Sequence, residues 1–405
     1  MFSLLPSGEN VSNTGEIVVT FDRNVVAIGS MQREEIDIKI TPEVECKWRW
    51  LNRSSLACIL PRDKRLKLAT NYNLTISKNF SKEDNIELSA PYSASFSTIR
   101  PSIKSSYTLL WQTTTKPYIE LSFFMPVTKK SVLEAFKIIG ADKSFDVELI
   151  ERVVKEEISS TSVEYRADTS SQTLAKSSWI LSPKTALESD TEFDLALVGS
   201  LYGEEGELAS NKEYRHNFHT FGEFKFLGLS CEVSDKEKLL SVESSKEELQ
   251  KNRCDPLAPI SLVFSSPVSQ KSVAEFVEFS PKLNFLADSY NPWENLTDND
   301  SFDAKHKRDK VYMVRLPNFI KADSTHTLDT KKLKDIFGQE LQGRYEISFM
   351  TDHRKPNLTL GYSEIVLEKG VHSDAALFAT NLKNIKLDFI RFNENADKIY
   401  LTLTI

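Results

Sequence analysis

"YIELSFFMPVTKKSVLEAFKI", residues 118–138, decides the fold because related stretches occur elsewhere in the same chain. One of them, "ISLVFSSPVSQKSVAEFVEF", occupies residues 260–279, and the other, "EIVVTFDRNVVAIGSM", occupies residues 16–31. Each has a valine four residues after a phenylalanine, and the two later stretches share Lys-Ser-Val at the same offset. The anchoring phenylalanines are Phe21, Phe123 and Phe264. Landmarks that recur at fixed offsets indicate internal duplication.

Two further landmarks follow each of these stretches in the same order. The first has the pattern apolar–x₃–hydroxyl–x–ring–x–Leu and occurs as "LKLATNYNL", "LESDTEFDL" and "IKADSTHTL", at residues 66–74, 187–195 and 320–328. Its last positions alternate, as in a half-buried strand, and its hydroxyl residue sits where a turn enters that strand. The second landmark is Phe-x-Thr, at Phe96–Thr98, Phe218–Thr220 and Phe349–Thr351.

Short alternating apolar segments separated by turn clusters fill the space between landmarks, in units of about 100 residues. We therefore predict an all-β fold of tandem antiparallel β-sandwich domains, Ig-like in type, with minor short helices. The predicted domains are a first repeat (residues 1–100), a second repeat (101–222), a third repeat (223–354) and a truncated fourth domain (355–405).

Within this framework, we predict loops where the repeats differ in length, at Ser159–Ser178 and Asp288–Lys310. The stretches "KSVLEAFKI", "KSVAEFVEF" and "SSKEELQKN" favour short helices. "TKKLKDIFGQEL" favours another, which we expect to stop at Gly338.

The last 50 or so residues carry no repeat landmark, and about that number is too few to bury a complete sandwich core. The chain ends in "KIYLTLTI", which has the character of a strand. We expect a domain cut short, and therefore a chain that is part of a larger protein.

Composition narrows the class of partner. The 405 residues are 40% apolar and 27% charged, which is ordinary for a soluble globular protein. The net charge of −7 argues against a nucleic-acid or anionic-membrane partner, since both require a basic face. The sequence contains no apolar stretch approaching 18 residues, so we predict no membrane span.

The four cysteines form two candidate pairs. In "ECKWRWLNRSSLACIL", a three-residue loop at residues 51–53 would place Cys46 opposite Cys58 in a β-hairpin. A disulfide is favoured there, and two free buried thiols are the main alternative. A zinc site would need further ligands nearby, and a redox pair would more often read C-x-x-C. Cys231 and Cys254 bracket a polar stretch as a second possible pair, and two pairs favour an oxidising compartment.

A resemblance to the amino-terminal region of bacterial alpha-2-macroglobulins rests on several of these segments in order. They are "TGEIVVTFDRNVVAIGS", "KWRWLNRSSLACILP", "LATNYNLTI", "LKDIFGQEL" and the tail "YSEIVLEKG…FATNLKNIKLDFIRF". The resemblance implies macroglobulin-like domains and a periplasmic, broad-range endopeptidase inhibitor, often lipid-anchored. In that family, a protease cuts a bait region, the molecule closes, and a thioester in a helical domain captures the attacker.

The trapping chemistry of the family is missing from this chain. A thioester needs C-x-x-Q, whereas the cysteines here begin "CKWR", "CILP", "CEVS" and "CDPL". The resemblance therefore implies a non-catalytic scaffold or docking portion. It implies proteases as partners through the full-length parent, cell-wall synthesis proteins as further partners, and membrane association only through segments outside this chain.

No residue of the sequence is predicted to be catalytic, cofactor-binding or metal-binding. The sequence has no G-x-S-x-G, H-E-x-x-H, G-x-x-x-x-G-K-[ST] or G-x-G-x-x-G motif. His216 and His219 are three apart, which places them on opposite faces of a strand. We predict no enzyme and no cofactor. The alternative function is a bacterial cell-surface Ig-like repeat module that binds glycan or protein through Tyr290 and Trp293.

Overall fold

The structure is a computed structural model that describes most of the chain. The described residues are 3–12, 14–31, 36–78, 88, 90–150, 153–159, 162–167, 177–282, 311–316, 320–361, 376–389 and 401–404. Strands dominate these residues and three short α-helices accompany them, so the all-β prediction is confirmed. The chain divides into two compact units, Met1–Gly222 and Glu223–Ile405. The finer division into four domains stays a prediction.

The first repeat forms two four-stranded sheets. Its strands are β1 (Ser3–Leu5), β2 (Gly8–Val11), β3 (Glu16–Thr20), β4 (Ile38–Thr41), β5 (Lys47–Asn52), β6 (Ser55–Ile59), β7 (Asn71–Ile76) and β8 (Tyr92–Thr98). The sheet orders are β1-β3-β6-β5 and β2-β8-β7-β4, and β2–β8 is a parallel pair. Tyr72, Leu74 and Ile76 alternate with exposed residues along β7, as the sequence pattern predicts, and join a core with residues of both sheets.

The second repeat forms one continuous seven-stranded sheet. Its elements are β9 (Ile103–Thr113), β10 (Lys116–Phe123), α1 (Lys129–Ala135), β11 (Phe136–Gly140), β12 (Lys143–Ile150), β13 (Val153–Ser159), β14 (Ser162–Ala167), β15 (Ser178–Pro183), β16 (Glu192–Leu197) and β17 (Arg215–His219). The sheet order is β17-β16-β11-β12-β15-β10-β9, and β13 and β14 pair with each other outside this sheet. Residues 143–146 of β12 pair with β11 and residues 147–150 pair with β15. β12 is thus a corner strand that joins the β17-β16-β11 part of the sheet to the β15-β10-β9 part.

Side chains link the two edge strands of that sheet, β9 and β17. His216 Nδ1 lies 2.8 Å from Ser106 Oγ, and His216 Nε2 lies 3.2 Å from Thr108 Oγ1. Tyr214 OH also donates to Ser106 Oγ, and Trp111 packs edge-on against Phe218. The sheet therefore curls far enough for its edges to meet through side chains.

The third repeat has two smaller sheets over one core. Its elements are β18 (Phe226–Val233), β19 (Lys236–Ser241), α2 (Lys246–Lys251), β20 (Ser261–Phe264), α3 (Gln270–Phe276), β21 (Glu278–Ser280), β22 (Tyr312–Arg315), β23 (Thr325–Asp329) and β24 (Glu346–Met350). The sheet orders are β19-β18-β20-β22 and β21-β23-β24. The core between them contains Leu229, Leu262, Phe264, Leu328 and Phe349.

Equivalent residues occupy equivalent places in the three repeats. Phe21 directly follows β3, Phe123 ends β10 and Phe264 ends β20, and all three are buried. A helical segment comes next in each repeat: a 3₁₀ turn at Ile28–Ser30, α1 and α3. Strands β4, β11 and β21 then pair with β7, β16 and β23, which pair in turn with β8, β17 and β24. The shared strand order is what duplication of one unit predicts.

Local capping explains the helices that form as predicted. Thr128 caps α1 by accepting a hydrogen bond from the backbone N–H of Ser131, and Ser269 caps α3 in the same way through Ser272. Ser245 caps α2. Each hydroxyl satisfies one of the backbone donors that a helix leaves free at its start.

The helix predicted for "TKKLKDIFGQEL" is wrong, because a buried aspartate organises this segment as turns. Asp335 Oδ1 accepts from the backbone N–H groups of Phe337 (3.0 Å) and Gln339 (2.8 Å), and Oδ2 accepts from Ser266 Oγ (2.7 Å). A side chain that binds nearby backbone donors competes with the helical hydrogen bonds. Gly338 adopts a positive φ of 81° within these turns.

The predicted loop Ser159–Ser178 is also corrected, because it contains β14. This strand pairs with β13 in a two-stranded antiparallel ribbon. Valine and tyrosine in "SVEYRA" favour extended backbone, which the polarity of the stretch concealed. The loop predicted at Asp288–Lys310 lies outside the described residues.

The tail of the chain forms two further antiparallel pairs. β25 (Asn357–Leu360) pairs with β26 (Leu377–Thr380), and β27 (Lys386–Phe389) pairs with β28 (Leu401–Thr404). A two-stranded ribbon is marginal by itself in water. The assignment of these strands to a truncated fourth domain stays a prediction.

Candidate functional site

A disulfide joins Cys46 to Cys58 in the first repeat, with a Cα–Cα distance of 5.4 Å. The predicted register of the hairpin is nevertheless wrong, because Cys58 lies opposite Trp48 and Cys46 precedes β5. The chain turns at residues 53–54 and bulges between Trp50 and Asn52. The bridge therefore joins residues that are diagonal neighbours.

The side chain of Asn52 accounts for the shifted turn. Its Oδ1 accepts from Ser54 N at 2.8 Å and from Ser54 Oγ at 3.1 Å. An asparagine that binds the backbone two residues later stabilises a tight turn. The expected three-residue loop is replaced by a two-residue turn.

The second disulfide, Cys231–Cys254, ties together the two sheets of the third repeat. Cys231 belongs to β18, and its partner lies beside the end of β24, where Cys254 N donates to Met350 O (2.9 Å) and Asp352 N donates to Cys254 O (2.8 Å). Both cysteines are buried. The bridge closes a loop across a sequence separation of 23 residues.

Removing this second bridge should destabilise the third repeat. Loop-closure entropy predicts that the Cys231→Ala/Cys254→Ala variant loses about 3 kcal/mol of unfolding free energy. Urea unfolding monitored by circular dichroism measures the loss. Reduction of the unaltered protein provides the control and should shift the same transition, and a double variant within about 0.5 kcal/mol of the unaltered protein would contradict the prediction.

A buried threonine makes the same set of hydrogen bonds in every repeat, and we name this arrangement the hydroxyl latch. Thr98, Thr220 and Thr351, the last residues of the Phe-x-Thr landmarks, are at most 1% exposed. Their Oγ1 atoms donate to the backbone carbonyls of Lys67, Glu188 and Lys321, at 2.8, 2.6 and 2.6 Å respectively. They also accept from backbone N–H groups at 3.0, 3.0 and 3.2 Å, those of Thr70, Thr191 and Ser324.

The turn within each latch has the same backbone conformation. The residues before the donating N–H groups are Ala69, Asp190 and Asp323, with φ of 49°, 50° and 50°. The hydroxyl residue that follows each of them donates to the carbonyl two residues earlier, at 2.8, 2.9 and 2.9 Å. The hydroxyl landmark in the sequence therefore marks a turn that contains one residue of positive φ. A threonine of the next strand holds this turn by hydrogen bonds.

An aromatic pair packs beside each latch. The ring centroids lie 5.3 Å apart for Tyr72–Phe96, 5.9 Å for Phe193–Phe218 and 5.5 Å for His326–Phe349, with interplanar angles of 19°, 25° and 27°. His326 thus takes the place of a tyrosine or phenylalanine. It is 2% exposed, and burial lowers its pKa below the usual 6.5.

The buried histidine should make the third repeat sensitive to mild acid. Because the pKa of His326 is lowered in the folded state, its contribution to stability is complete above pH 6.5 and is lost as the pH falls through the folded-state pKa. We expect His326→Phe to reduce this dependence, which cannot exceed about 1.4 kcal/mol per pH unit for one proton. Urea unfolding at several pH values measures it. An unchanged slope in His326→Phe would refute the assignment.

Unit Met1–Gly222 contains a joint between its two repeats, which we name the interlock. The Glu205 carboxylate binds Arg65 through two hydrogen bonds, of 2.8 and 2.5 Å, and accepts from Leu68 N at 3.0 Å. The hydrogen bond with Arg65 holds the pKa of Glu205 below its usual value. Because both side chains are partly exposed, we assign the ion pair an orienting role.

Backbone contacts complete the interlock. Glu207 N and Leu208 N donate to Ala69 O at 2.9 and 2.8 Å, so the carbonyl of the first latch turn receives two hydrogen bonds from the second repeat. Arg100 Nη1 donates to Ala209 O at 3.1 Å. Gly206, with φ of 71°, lies so close that an added Cβ would be 2.1 Å from Ala69 O.

The sequence contains a signal for this segment that the three landmarks miss. Gly206 lies five residues after the buried Leu201, and Gly338 lies five residues after the buried Leu333. Both segments are held alike, since Glu204 N donates to Pro126 O and Ile336 N donates to Pro267 O, each at 3.0 Å. Leu-x₄-Gly after the ring-bearing strand is a further repeated feature.

The described residues contain no cluster of three or more His, Cys, Asp or Glu side chains arranged to hold a metal ion. His216 contacts Ser106 and Thr108, whereas His219 Nε2 lies 3.0 Å from Asp190 Oδ1, so the two histidines have different partners. Tyr290 and Trp293, proposed above as binding residues, lie outside the described part of the chain. Within that part, no helix combines the length and apolar character needed to cross a membrane.

Comparisons with known proteins leave the family open. No protein-family model matches the chain. No curated protein matches it significantly either.

Proposed function

We propose that the chain is the non-catalytic amino-terminal scaffold of a bacterial periplasmic peptidase inhibitor of the alpha-2-macroglobulin type. The observation that carries the proposal is the recurrence of one β unit with the same hydroxyl latch in three successive repeats. The ordered sequence segments quoted for the resemblance support the same proposal. Rigid repeats suit a protein that must hold other parts at a fixed spacing.

The interlock supports a scaffold role within unit Met1–Gly222. Two hydrogen bonds to Ala69 O and the close approach of Gly206 leave little freedom at this joint. Repeats that serve only as spacers need no such joint, because interfaces between domains are ordinarily modest and permit motion. In the proposed role, proteases engage the full-length parent, and cell-wall synthesis proteins are the partners proposed for the scaffold.

The disulfides support export. Two bridges are compatible with an extracellular or periplasmic location, where disulfides form and persist. Mass spectrometry of protein secreted into the periplasm, alkylated without reduction, should find all four cysteines bridged. Four free thiols in that material would remove the argument for an oxidising compartment.

Incubation with proteases tests whether this chain alone inhibits or traps them. We expect this chain, mixed with trypsin or elastase at equal concentration, to leave protease activity on a small substrate and on casein unchanged. We also expect no protease adduct on a denaturing gel, because the chain lacks the C-x-x-Q thioester pair. An adduct that survives denaturation, or inhibition restricted to the large substrate, would show that trapping chemistry resides here.

A further inference from the structure

An apolar tip lies at one end of the first repeat. Ile28 is 75% exposed and Leu51 is 47% exposed, although both are large aliphatic side chains. Ile28 belongs to the 3₁₀ turn and Leu51 to the end of β5. Single exposed aliphatic residues are common on proteins, so the significance of this pair depends on their being neighbours.

Hydrogen bonds place the two segments side by side. Val25 N and Val26 N donate to Arg53 O at 2.8 and 3.3 Å, and Arg53 Nε donates back to Val26 O at 3.3 Å. Phe21 N donates to Ser54 O at 2.8 Å. The segment leading into the 3₁₀ turn is thereby held against the β5–β6 turn, and the two aliphatic residues share one end of the sandwich.

Arginines flank this tip. Arg23, Arg49 and Arg53 are exposed, and Asp22 is an exposed acidic neighbour. The hairpin strand that leads to the tip, residues 46–53, contains Lys47, Arg49 and Arg53 and no acidic residue, within a chain of net charge −7. Positive charge is therefore concentrated around the hairpin, whereas the chain as a whole is acidic.

We propose that this apolar tip, with its arginines, docks on an anionic lipid surface. Ile28 and Leu51 enter the headgroup layer while the arginines contact lipid phosphates. Combined apolar insertion and cationic attraction is the usual physics of peripheral attachment. The proposal is independent of the scaffold role. It replaces two expectations from the sequence, that the net charge excludes an anionic membrane and that membrane association occurs only through segments outside this chain.

The size of the tip favours a lipid surface over a protein partner. A stable protein interface buries about 800 Å² on each side, with a central apolar cluster and a polar rim. Two exposed aliphatic residues are too few for such a centre. Insertion into a fluid headgroup layer requires no complementary shape, so a small tip is sufficient.

Cosedimentation of the full chain with vesicles tests the proposal. We compare vesicles of phosphatidylcholine with vesicles that also contain phosphatidylglycerol, at low and at physiological ionic strength. We expect about tenfold stronger binding to the anionic vesicles at low salt, and weaker binding as salt is added. Equal binding to both kinds of vesicle, or none to either, would overturn the proposal.

Paired variants separate the two contributions. Ile28→Ser/Leu51→Ser and Arg23→Glu/Arg49→Glu should each reduce binding about tenfold, while the exposed-residue controls Leu257→Ser and Lys271→Glu should leave it unchanged. Circular dichroism verifies that every variant is folded. Full binding by the serine variant would overturn insertion. Self-association that this variant abolishes, without any vesicle binding, would assign the tip to a second copy of the chain.

Discussion

Replacing Gly206 by alanine should open the interlock and destabilise unit Met1–Gly222 by about 4 kcal/mol. A Cβ at this position would lie 2.1 Å from Ala69 O and 2.3 Å from Leu68 O, so the two loops must separate. Separation breaks the hydrogen bonds from Glu207 N and Leu208 N, each contributing about 1 kcal/mol. The positive φ of the glycine adds about 1–2 kcal/mol of strain for any other residue.

Gly338 provides the matched control for this variant. It lies at the equivalent position of the third repeat with φ of 81°, but an added Cβ there would meet no atom within 4 Å. We therefore expect Gly338→Ala to cost about 1 kcal/mol from backbone strain alone. Equal losses for the two variants would mean that the close approach at Gly206 has no energetic consequence.

Hydrogen exchange identifies where the Gly206→Ala variant acts. The amides of Glu207 and Leu208 are bonded to Ala69 O, so they should exchange faster in the variant. Amides in the centre of β10, such as Leu121, should keep their protection at equal global stability. Retained protection at Glu207 and Leu208 would show that the interlock survives the added methyl group.

Replacing Thr220 by valine should remove the second hydroxyl latch and cost about 4 kcal/mol. Valine fills the same space, but Thr191 N loses its acceptor and Glu188 O loses its donor. Both hydrogen bonds lie in a part-buried region, and a polar group that loses its partner there costs about 1–3 kcal/mol. The loss is measured as the change in urea unfolding free energy at constant m-value.

Thr220→Ser is the control, because it keeps the hydroxyl and removes only a methyl group. We expect it to cost about 1 kcal/mol. Thr98→Val and Thr351→Val test whether the latch has the same role in all repeats and should give losses of similar size. A valine variant as stable as the serine variant would show that the hydrogen bonds of the latch do not stabilise the fold.

Much of the fold could be predicted from the sequence, because each repeat has the same pattern of apolar and polar side chains. Alternation in "NYNL" and "EFDL" reports which residues face a core, and the buried residues of β7 and β16 follow it. Hydroxyl residues mark the latch turns, although the bonds they make had to be seen in three dimensions. Caps such as Thr128 and Ser269 act within four residues and are equally local.

The errors arise where a polar side chain competes with the backbone pattern. Asn52 shortens the hairpin turn and moves the register that a three-residue loop would impose. Asp335 accepts hydrogen bonds from backbone N–H groups that would otherwise belong to the helix favoured by the spacing of apolar residues. Propensity describes an average environment, whereas a single well-placed acceptor changes the local one.

The sequence by itself determined the all-β class, the triple recurrence of its landmarks and the cysteines available for pairing, because these depend on residues near one another in the chain. Only the tertiary structure decided the interlock, in which Glu205 meets Arg65 across 140 positions. It also decided that Ile28 and Leu51 share one tip. Contacts of this kind depend on how segments distant in the chain pack together, and the local pattern of residues does not predict that packing.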